Sequence, residues 1–238
     1  MKLWDKLLGK PVATQSEKAY DLWANSYDNQ PDNLMMHLDN EVFTSALSAV
    51  KGTNEIIVDV GCGTGRHWPE LIARKPSKVV GFDSSPGMLD ILRKKFPKAE
   101  AHLIEGTKLD MPDESVDLLV STLTIAHIQN IEEALTEWGR VLKPGGHMII
   151  TDYHPAALAK GGLRTFKSEG KVISIKNYVH PLDFLISTSA SLRLNLVQRI
   201  ERVIDETVKP FYAKQNALHI YDQFRGTEII FGLHFKKL

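Results

Sequence analysis

A chain of 238 residues is long for one minimal domain and short for two, and its 43% hydrophobic residues suffice for a sizeable core. Lys plus Arg and Asp plus Glu both number 29, so the balance is neutral and excludes a general attraction to nucleic acid or an anionic membrane. The single cysteine, Cys62, excludes an intramolecular disulfide and suits a reducing compartment.

The first residues, MKLWDKLLGKP, interleave Lys2, Asp5, Lys6 and Lys10 with apolar side chains, unlike a signal peptide. Leu3, Trp4, Leu7 and Leu8 suit a short amphipathic turn that packs on the body or acts as a lid. No segment approaches the ~20 apolar residues of a membrane helix, so a soluble, cytoplasmic protein is expected. Residues 16–30 place Tyr20, Trp23, Ala24 and Tyr27 at helical spacing, with Ser16 as the cap. A second helix is predicted over Asn40–Val50, ended by Gly52.

From residue 55 strand and helix alternate. Strands are predicted at Glu55–Val60, Lys78–Asp83, His102–Glu105, Val116–Ser121 and His147–Tyr153; helices at Gly65–Lys75, Pro86–Phe96 and Ile131–Leu142. This rhythm implies a parallel sheet with right-handed crossovers. After residue 155 it changes: a hairpin turning at Ser168-Glu169-Gly170, a helix over Pro181–Ala190, a strand over Leu192–Asp205, a helix over Phe211–Phe224 and a last strand over Glu228–Lys237. The two late strands suit an antiparallel edge that closes the sheet.

The stretch IIVDVGCGTGR ends a strand in Gly61, Gly63 and Gly65. Glycines there let a ligand approach backbone N–H groups, at the carboxyl edge where open α/β sheets bind ligands. The dinucleotide fingerprint G-x-G-x-x-G is not matched, because the third glycine falls one residue early, and the phosphate-binding G-x-x-x-x-G-K-[ST] is absent. Asp83, at the tip of the second predicted strand, is placed to accept both hydroxyls of a ribose; capping the next helix is its alternative role.

Taken together, VDVGCGTGR, VVGFDSSPGML, DESVDLLVS and VLKPGGHMIITD resemble the class I S-adenosylmethionine-dependent methyltransferases, in particular the type-11 group, over roughly residues 55–155. YDLWANSYD resembles the lid helix of that group. The resemblance implies a doubly wound, seven-stranded, mostly parallel α/β sheet with the last strand antiparallel, helices on both faces, N-terminal lid helices and a hairpin insertion after the fifth core strand. It implies one domain: lid helices in residues 1–52, a cofactor-binding core in 53–155, substrate-recognition and late elements in 156–226, and the final strand in 227–238.

It also implies roles for individual residues. Asp59 and the backbone around Gly61, Cys62 and Gly63 would hold the methionine amine and carboxylate. Asp83 would take the ribose, with Ser84 and Met88 flanking the adenosine. The group usually has an acidic residue after the glycine of EGTKLDMP to receive the adenine amino group; here Gly106 is followed by Thr107, so either its hydroxyl would accept one hydrogen bond or the Lys108 backbone N–H would read the ring. Ser121 and Leu123 would lie beneath the methionine chain, and Tyr27 would close over the sulfonium. Acceptor-side candidates are Tyr20, His127, Asp152, Tyr153 and Tyr178, with His154 and His180 as the leading candidate bases and His127 behind them, imidazole being the side chain that titrates nearest neutrality. Cys62 has no surrounding His/Asn pattern of a nucleophile and is read as structural, and the scattered histidines suggest no metal site. The expected partner is a small-molecule methyl acceptor reacting through O, N or C. Nucleic acid and membrane are not expected as partners, and the oligomeric state stays open. A NAD(P)-dependent oxidoreductase and a non-catalytic cofactor-binding sensor or scaffold are the competing readings.

Overall fold

The computed structural model describes residues 12–168 and 171–238. The expected turn through Leu3, Trp4, Leu7 and Leu8 lies outside these residues, as do two of the three hairpin-turn residues. Seven strands form one sheet in the order β4-β3-β2-β5-β6-β10-β9. These are β2 (Ile56–Val60), β3 (Lys78–Asp83), β4 (Glu100–Leu103), β5 (Val116–Thr122), β6 (Leu142–Tyr153), β9 (Leu194–Val203) and β10 (Glu228–Lys237). Only β10 runs against the others, antiparallel to both β6 and β9.

Period-two burial explains the two helical layers. Val58, Val60, Leu119, Met148 and Ile150 join the core beneath α5 (Ile131–Val141) and α7 (Leu182–Ser191), where Trp138 and Leu185 are fully buried. Their neighbours Ile57, Leu118, Val120 and Ile149 face the other way. There they meet Phe43 of α2 (Leu34–Ser48), Leu71 of α3 (Trp68–Ala73) and Leu89 of α4 (Pro86–Lys95).

A second, three-stranded sheet stands above the first. The expected hairpin forms from β7 (Thr165–Ser168) and β8 (Lys171–Ile175), with Ser168 opposite Lys171. Beside β8 lies β1 (Val12–Thr14), running parallel, an arrangement the three-residue VAT did not announce. The Phe166 ring stacks on Trp23 of α1 (Ser16–Tyr27), with centroids 4.7 Å apart and planes at 5°. Ile173 and Ile175 complete this small core.

Several boundaries differ from expectation. The second helix starts at Leu34, not Asn40, because the Asn33 side chain accepts from Met36 N and caps it there. Ser16 is the first helical residue of α1 and not its cap. The single helix expected over 211–224 is two, α8 (Lys209–Lys214) and α9 (Leu218–Phe224). Asn216 takes a left-handed conformation between them (φ 54°), and Ala217 N donates to Tyr212 O. The remaining short helix, α6, spans Pro155–Ala159.

Packing of α2 on the sheet depends on a missing side chain. A Cβ at Gly232 of β10 would stand 2.5 Å from Val42 Cγ1, so glycine is what lets the helix approach. Gly232→Ala is expected to destabilise the protein by about 1–3 kcal/mol through overpacking, measured as a lower urea midpoint with an unchanged slope.

Candidate functional site

The carboxyl edges of β2, β3, β5 and β6 converge on one cleft. The chain leaves β2 through Gly61, Gly63 and Gly65, all with positive φ. At Gly61 close approach matters as well, since a Cβ would lie 2.1 Å from Thr124 Oγ1; at Gly63 a Cβ would meet nothing within 4 Å. Gly61 N and Cys62 N both donate to Phe82 O, at 2.7 and 3.1 Å, which locks the loop onto β3. Gly63 N donates to Asp83 Oδ2 (2.7 Å) and Ser85 N to Asp83 Oδ1 (2.8 Å), leaving each half-buried carboxylate oxygen further acceptor capacity. Burial raises the Asp83 carboxyl above the usual range, against the N–H donors that favour its charge.

Asp59, buried under the loop, accepts from Trp68 Nε1 at 3.0 Å. Burial pushes it up to about 7, opposed by that hydrogen bond and reinforced by the charge of Asp83. The Cys62 thiol is buried and its pKa is driven well up, which agrees with a structural role. Ser121, fully buried at the end of β5, carries a hydroxyl with no hydrogen-bond partner among the described residues. Leu123 follows in the left-handed region (φ 52°), an outlier for a non-glycine residue of the kind that gathers at functional sites.

Helix α1 covers this edge and is fastened by carboxylates at its middle and at its C-terminal end. Asp21 Oδ1 accepts from Ser85 Oγ (2.6 Å) and Gly87 N (2.9 Å), sitting at the positive N-terminus of α4. Asp28 accepts from Thr64 Oγ1 (2.6 Å) and from Lys95 Nζ (2.8 Å). Behind the loop, the fully buried Asp39 of α2 receives Arg66, His67 (2.9 Å) and the Thr151 hydroxyl of β6. Burial alone would raise the Asp39 pKa, but Arg66 and His67 outweigh it and hold the carboxyl well below the usual range.

On the far side of the cleft, the insertion supplies Arg164, which is 5% exposed. Its Nη2 donates to Asp152 Oδ1 (2.7 Å), while Nη1 donates to Leu123 O (2.6 Å) and Tyr20 Oη (2.9 Å) and also meets His127 Nε2. The guanidinium lies over the Tyr153 ring, 4.7 Å from its centroid. The other oxygen of Asp152 accepts from Ala126 N at 2.8 Å. His127 Nδ1 faces the Lys176 carbonyl at 3.1 Å, and Nε2 faces the Tyr20 hydroxyl at 3.0 Å. Burial and the neighbouring guanidinium hold His127 well below the usual imidazole range, so it is neutral.

Of the expected acceptor-side residues, Tyr20, His127, Asp152 and Tyr153 are thus brought into one cluster, with Tyr27 edge-on to Tyr20 at 6.1 Å. His154 is a correction. Its Nδ1 accepts from Ala156 N (3.1 Å) and caps α6, and its Nε2 pairs with Glu201 of β9 (2.8 Å), so both ring nitrogens are spent on structure. His180 Nε2 donates to Ile128 O (2.9 Å), and Tyr178 holds Ala126 O and Gln129 through its N–H and hydroxyl. Both therefore strap the insertion to the loop after β5. Ser84, Gly106 and Lys108 are exposed on the rim with Thr107 half-buried among them, while Met88 is buried beneath the α4 cap. Arg164, Arg66 and Asp39 were missed. Only Asp39 carried a signal, as a carboxylate on the apolar stripe of Met35, Leu38, Val42 and Ala46.

Residues 58–150 match the family model described as a methyltransferase domain. Over 93 residues the chain is 41% identical to an uncharacterized methyltransferase-like protein of Schizosaccharomyces pombe, covering 39% of this chain and 36% of the relative. A demethylmenaquinone methyltransferase of Tropheryma whipplei (strain Twist) is 32% identical over 153 residues, covering 62% of each chain. The matches therefore span between about a third and just under two thirds of those relatives' lengths. Among solved structures, an S-adenosylmethionine-dependent methyltransferase from Mesorhizobium loti superposes with a TM-score of 0.64 at 17% identity, covering 82% of this chain and 97% of that one, a likeness of fold.

The Asp39 cluster yields a stability test. An acid whose folded pKa is depressed contributes stability above its unfolded pKa of about 4 and loses it as pH falls toward the folded value. Asp39→Asn, which leaves Arg66 without its charge partner, is expected to cost about 3 kcal/mol at pH 7. Urea unfolding at pH 7 and pH 3 checks this: the gap from wild type should narrow in acid.

Proposed function

We propose that this chain, whose residues 58–150 match a methyltransferase-domain model, transfers a methyl group from S-adenosylmethionine to a small-molecule acceptor, its 238 residues working as one lid, core and insertion unit. The observation that carries this reading is the Asp83 carboxylate, set between Gly63 N and Ser85 N with acceptor capacity facing the cleft. A ribose diol needs such a charged, doubly anchored acceptor. The open side of Gly63 and the unpartnered Ser121 hydroxyl suit a methionine chain lying over the loop. Asp59 holds the amine, Ser84 and Met88 flank the adenosine, and Gly106, Thr107 and Lys108 border the adenine. When bound, S-adenosylmethionine supplies a methyl already activated as a sulfonium.

What remains for the chain is placement and exclusion of water. Tyr27 and Tyr20 on α1 cover the methionine end, while Leu123 and Tyr153 form the opposite wall. The T. whipplei relative's name supports an acceptor of the quinone kind, and the aromatic residues Tyr20, Trp23, Tyr27 and Tyr153 suit a flat ring.

Calorimetric titration of S-adenosylmethionine and S-adenosylhomocysteine tests the reading. Micromolar-range binding, roughly −7 to −9 kcal/mol, is expected, weakened at least tenfold by Asp83→Ala, as loss of a charged acceptor would do. Absence of binding to the wild type, or preference for NADH, would sink it. Binding without release of S-adenosylhomocysteine from any acceptor is the result that a sensor would give.

Cofactor affinity should also depend on pH. Asp59 must be ionised to hold an ammonium, and its pKa lies near 7 in the unliganded protein. At pH 6 about a tenth of it is ionised and at pH 8 about nine tenths, so affinity should fall by about tenfold between pH 8 and pH 6. Asp59→Asn should flatten that dependence in the same titrations.

A further inference from the structure

The Tyr20 phenol sits between two groups whose orientation the backbone fixes. A carbonyl only accepts, so the Lys176 carbonyl at 3.1 Å places the proton of His127 on Nδ1 and leaves the lone pair on Nε2. Arg164 only donates, and its Nη1 points at the Tyr20 oxygen at 2.9 Å. Tyr20 therefore accepts from Arg164, and at the His127 Nε2 lone pair its own proton (3.0 Å) shares the acceptor with an approach from Arg164 Nη1. The guanidinium cannot drift to follow another group. Asp152, which is fully buried, holds Nη2; Leu123 O holds Nη1; and the Tyr153 ring lies beneath. The result is a hydroxyl-binding fork, with a fixed donor on one side and a fixed proton acceptor on the other.

That fork adjoins Leu123 and Tyr27, the residues read above as bordering the methionine end, and Tyr20 rides on the lid helix α1. Resting on the methyl-transfer reading, we propose that the fork of Arg164 and His127 is the acceptor subsite, that its ligand is a phenolic hydroxyl, and that the Tyr20 phenol occupies this place until the acceptor displaces it. His127 is then the catalytic base and Arg164 the group that steadies the forming phenolate; Asp152 and Lys176 are positioning residues. The step balances within the site. The phenol proton passes to His127 Nε2, the oxygen's electron pair bonds to the transferred methyl carbon, and the carbon–sulfur pair leaves with sulfur.

Other acceptor chemistries suit the fork poorly. An amine arrives protonated and would face a guanidinium. A carboxylic acid is already ionised at neutrality and needs no base. A phenol needs both groups, since it binds neutral and reacts as its anion. The charged and titratable groups around His127 fit that cycle: Tyr20 and Tyr27 come from α1, Arg164 from the insertion, and Asp152 and Tyr153 from β6. The ion pair of Arg164 with Asp152 leaves the subsite neutral before the proton moves.

The test separates this subsite from the cofactor reading, because saturation with S-adenosylhomocysteine is verified first by calorimetry. 4-Nitrophenol, which ionises near neutrality and is yellow only as its anion, is then titrated with pH in the presence of that complex. A bound ionisation shifted at least tenfold toward the anion is expected, with the shift lost in His127→Gln and in Arg164→Met; Tyr20→Phe should bind the probe more tightly, having lost its competing hydroxyl. Turnover supplies the second readout, as release of S-adenosylhomocysteine with a panel of phenols, amines and carboxylic acids. His127→Gln should lower kcat at least a hundredfold for weakly acidic phenols and less than fivefold for nitrophenols, a dependence on acceptor acidity that a merely structural histidine would not produce. If Arg164→Met fails to fold, His127→Gln and Tyr20→Phe carry the test. Cofactor binding with an unshifted probe, an equal loss across all phenols, or turnover confined to amines or carboxylates would overturn the proposal. Failure of the wild type to bind S-adenosylhomocysteine would overturn the methyl-transfer reading itself and this subsite with it.

Discussion

One buried carboxylate ties together the parts on which the cleft depends. Asp39 belongs to α2, yet its partners are Arg66 and His67, which follow the glycine loop, and Thr151 on β6. Helix, loop and sheet are thereby fixed by a charge that has no access to water. Left without those partners such a charge would be prohibitive, so the arrangement tolerates little rotation of α2 or slack in the loop. Loop rigidity matters because the ligand is met by backbone N–H groups, which cannot adjust by changing rotamer.

From that fixed loop the cleft is built outward by successive anchors. Asp83 binds the loop through Gly63 N and the start of α4 through Ser85 N, so one side chain both shapes the site and faces its ligand. The lid α1 is held at several points. Its clamps are Asp21 on the α4 terminus and Asp28 between Thr64 and Lys95, and the ion pair of Asp28 with Lys95 is over a third exposed on both sides. Exposed pairs of this kind contribute little, whereas the Trp23–Phe166 stack couples the lid to the three-stranded sheet. The lid is thus tied to the loop through Thr64, to the α4 terminus through Ser85 and to the insertion through the Tyr20 bonds with Arg164 and His127 as well as through the aromatic stack.

The alternating core and its glycine loop were legible in the sequence because each rests on local chemistry: period-two burial, helix stops at glycine or proline, and residues that accept positive φ. Lys78–Asp83 and Glu228–Lys237 fall where the pattern put them. The break at Asn216 was not visible, since asparagine is accepted in a helix interior as well as in the left-handed region it takes here. Nor was β1, whose three residues gain strand character only from a partner 161 positions away in register, Val12 with Ile173. The polar site was readable in proportion to its locality. Asp83 stands beside its motif, whereas Arg164 acquires meaning only when the insertion folds back over Asp152 and Leu123. His154 misled for the converse reason: it follows β6 in the chain, but its neighbour across the sheet is Glu201.

Charge balance joins the two halves of the cleft. A sulfonium cofactor brings a positive centre to a wall that already holds Arg164, and two cations in one low-dielectric cavity repel strongly. The chain answers with carboxylates on both sides: buried Asp152 against the guanidinium, and buried Asp59 and half-buried Asp83 at the loop. Asp152 forms its ion pair with Arg164 permanently, so the field reaching the methyl end is that of a dipole and not of a full charge. A neutral acceptor can then enter next to both cationic centres. On the proposed reading, an acceptor phenolate formed at the Arg164 fork would be stabilised by the guanidinium, and a sulfonium held over the loop would add a second positive charge. The arrangement therefore favours the ionised acceptor most strongly just before transfer, when the negative charge on its oxygen is greatest.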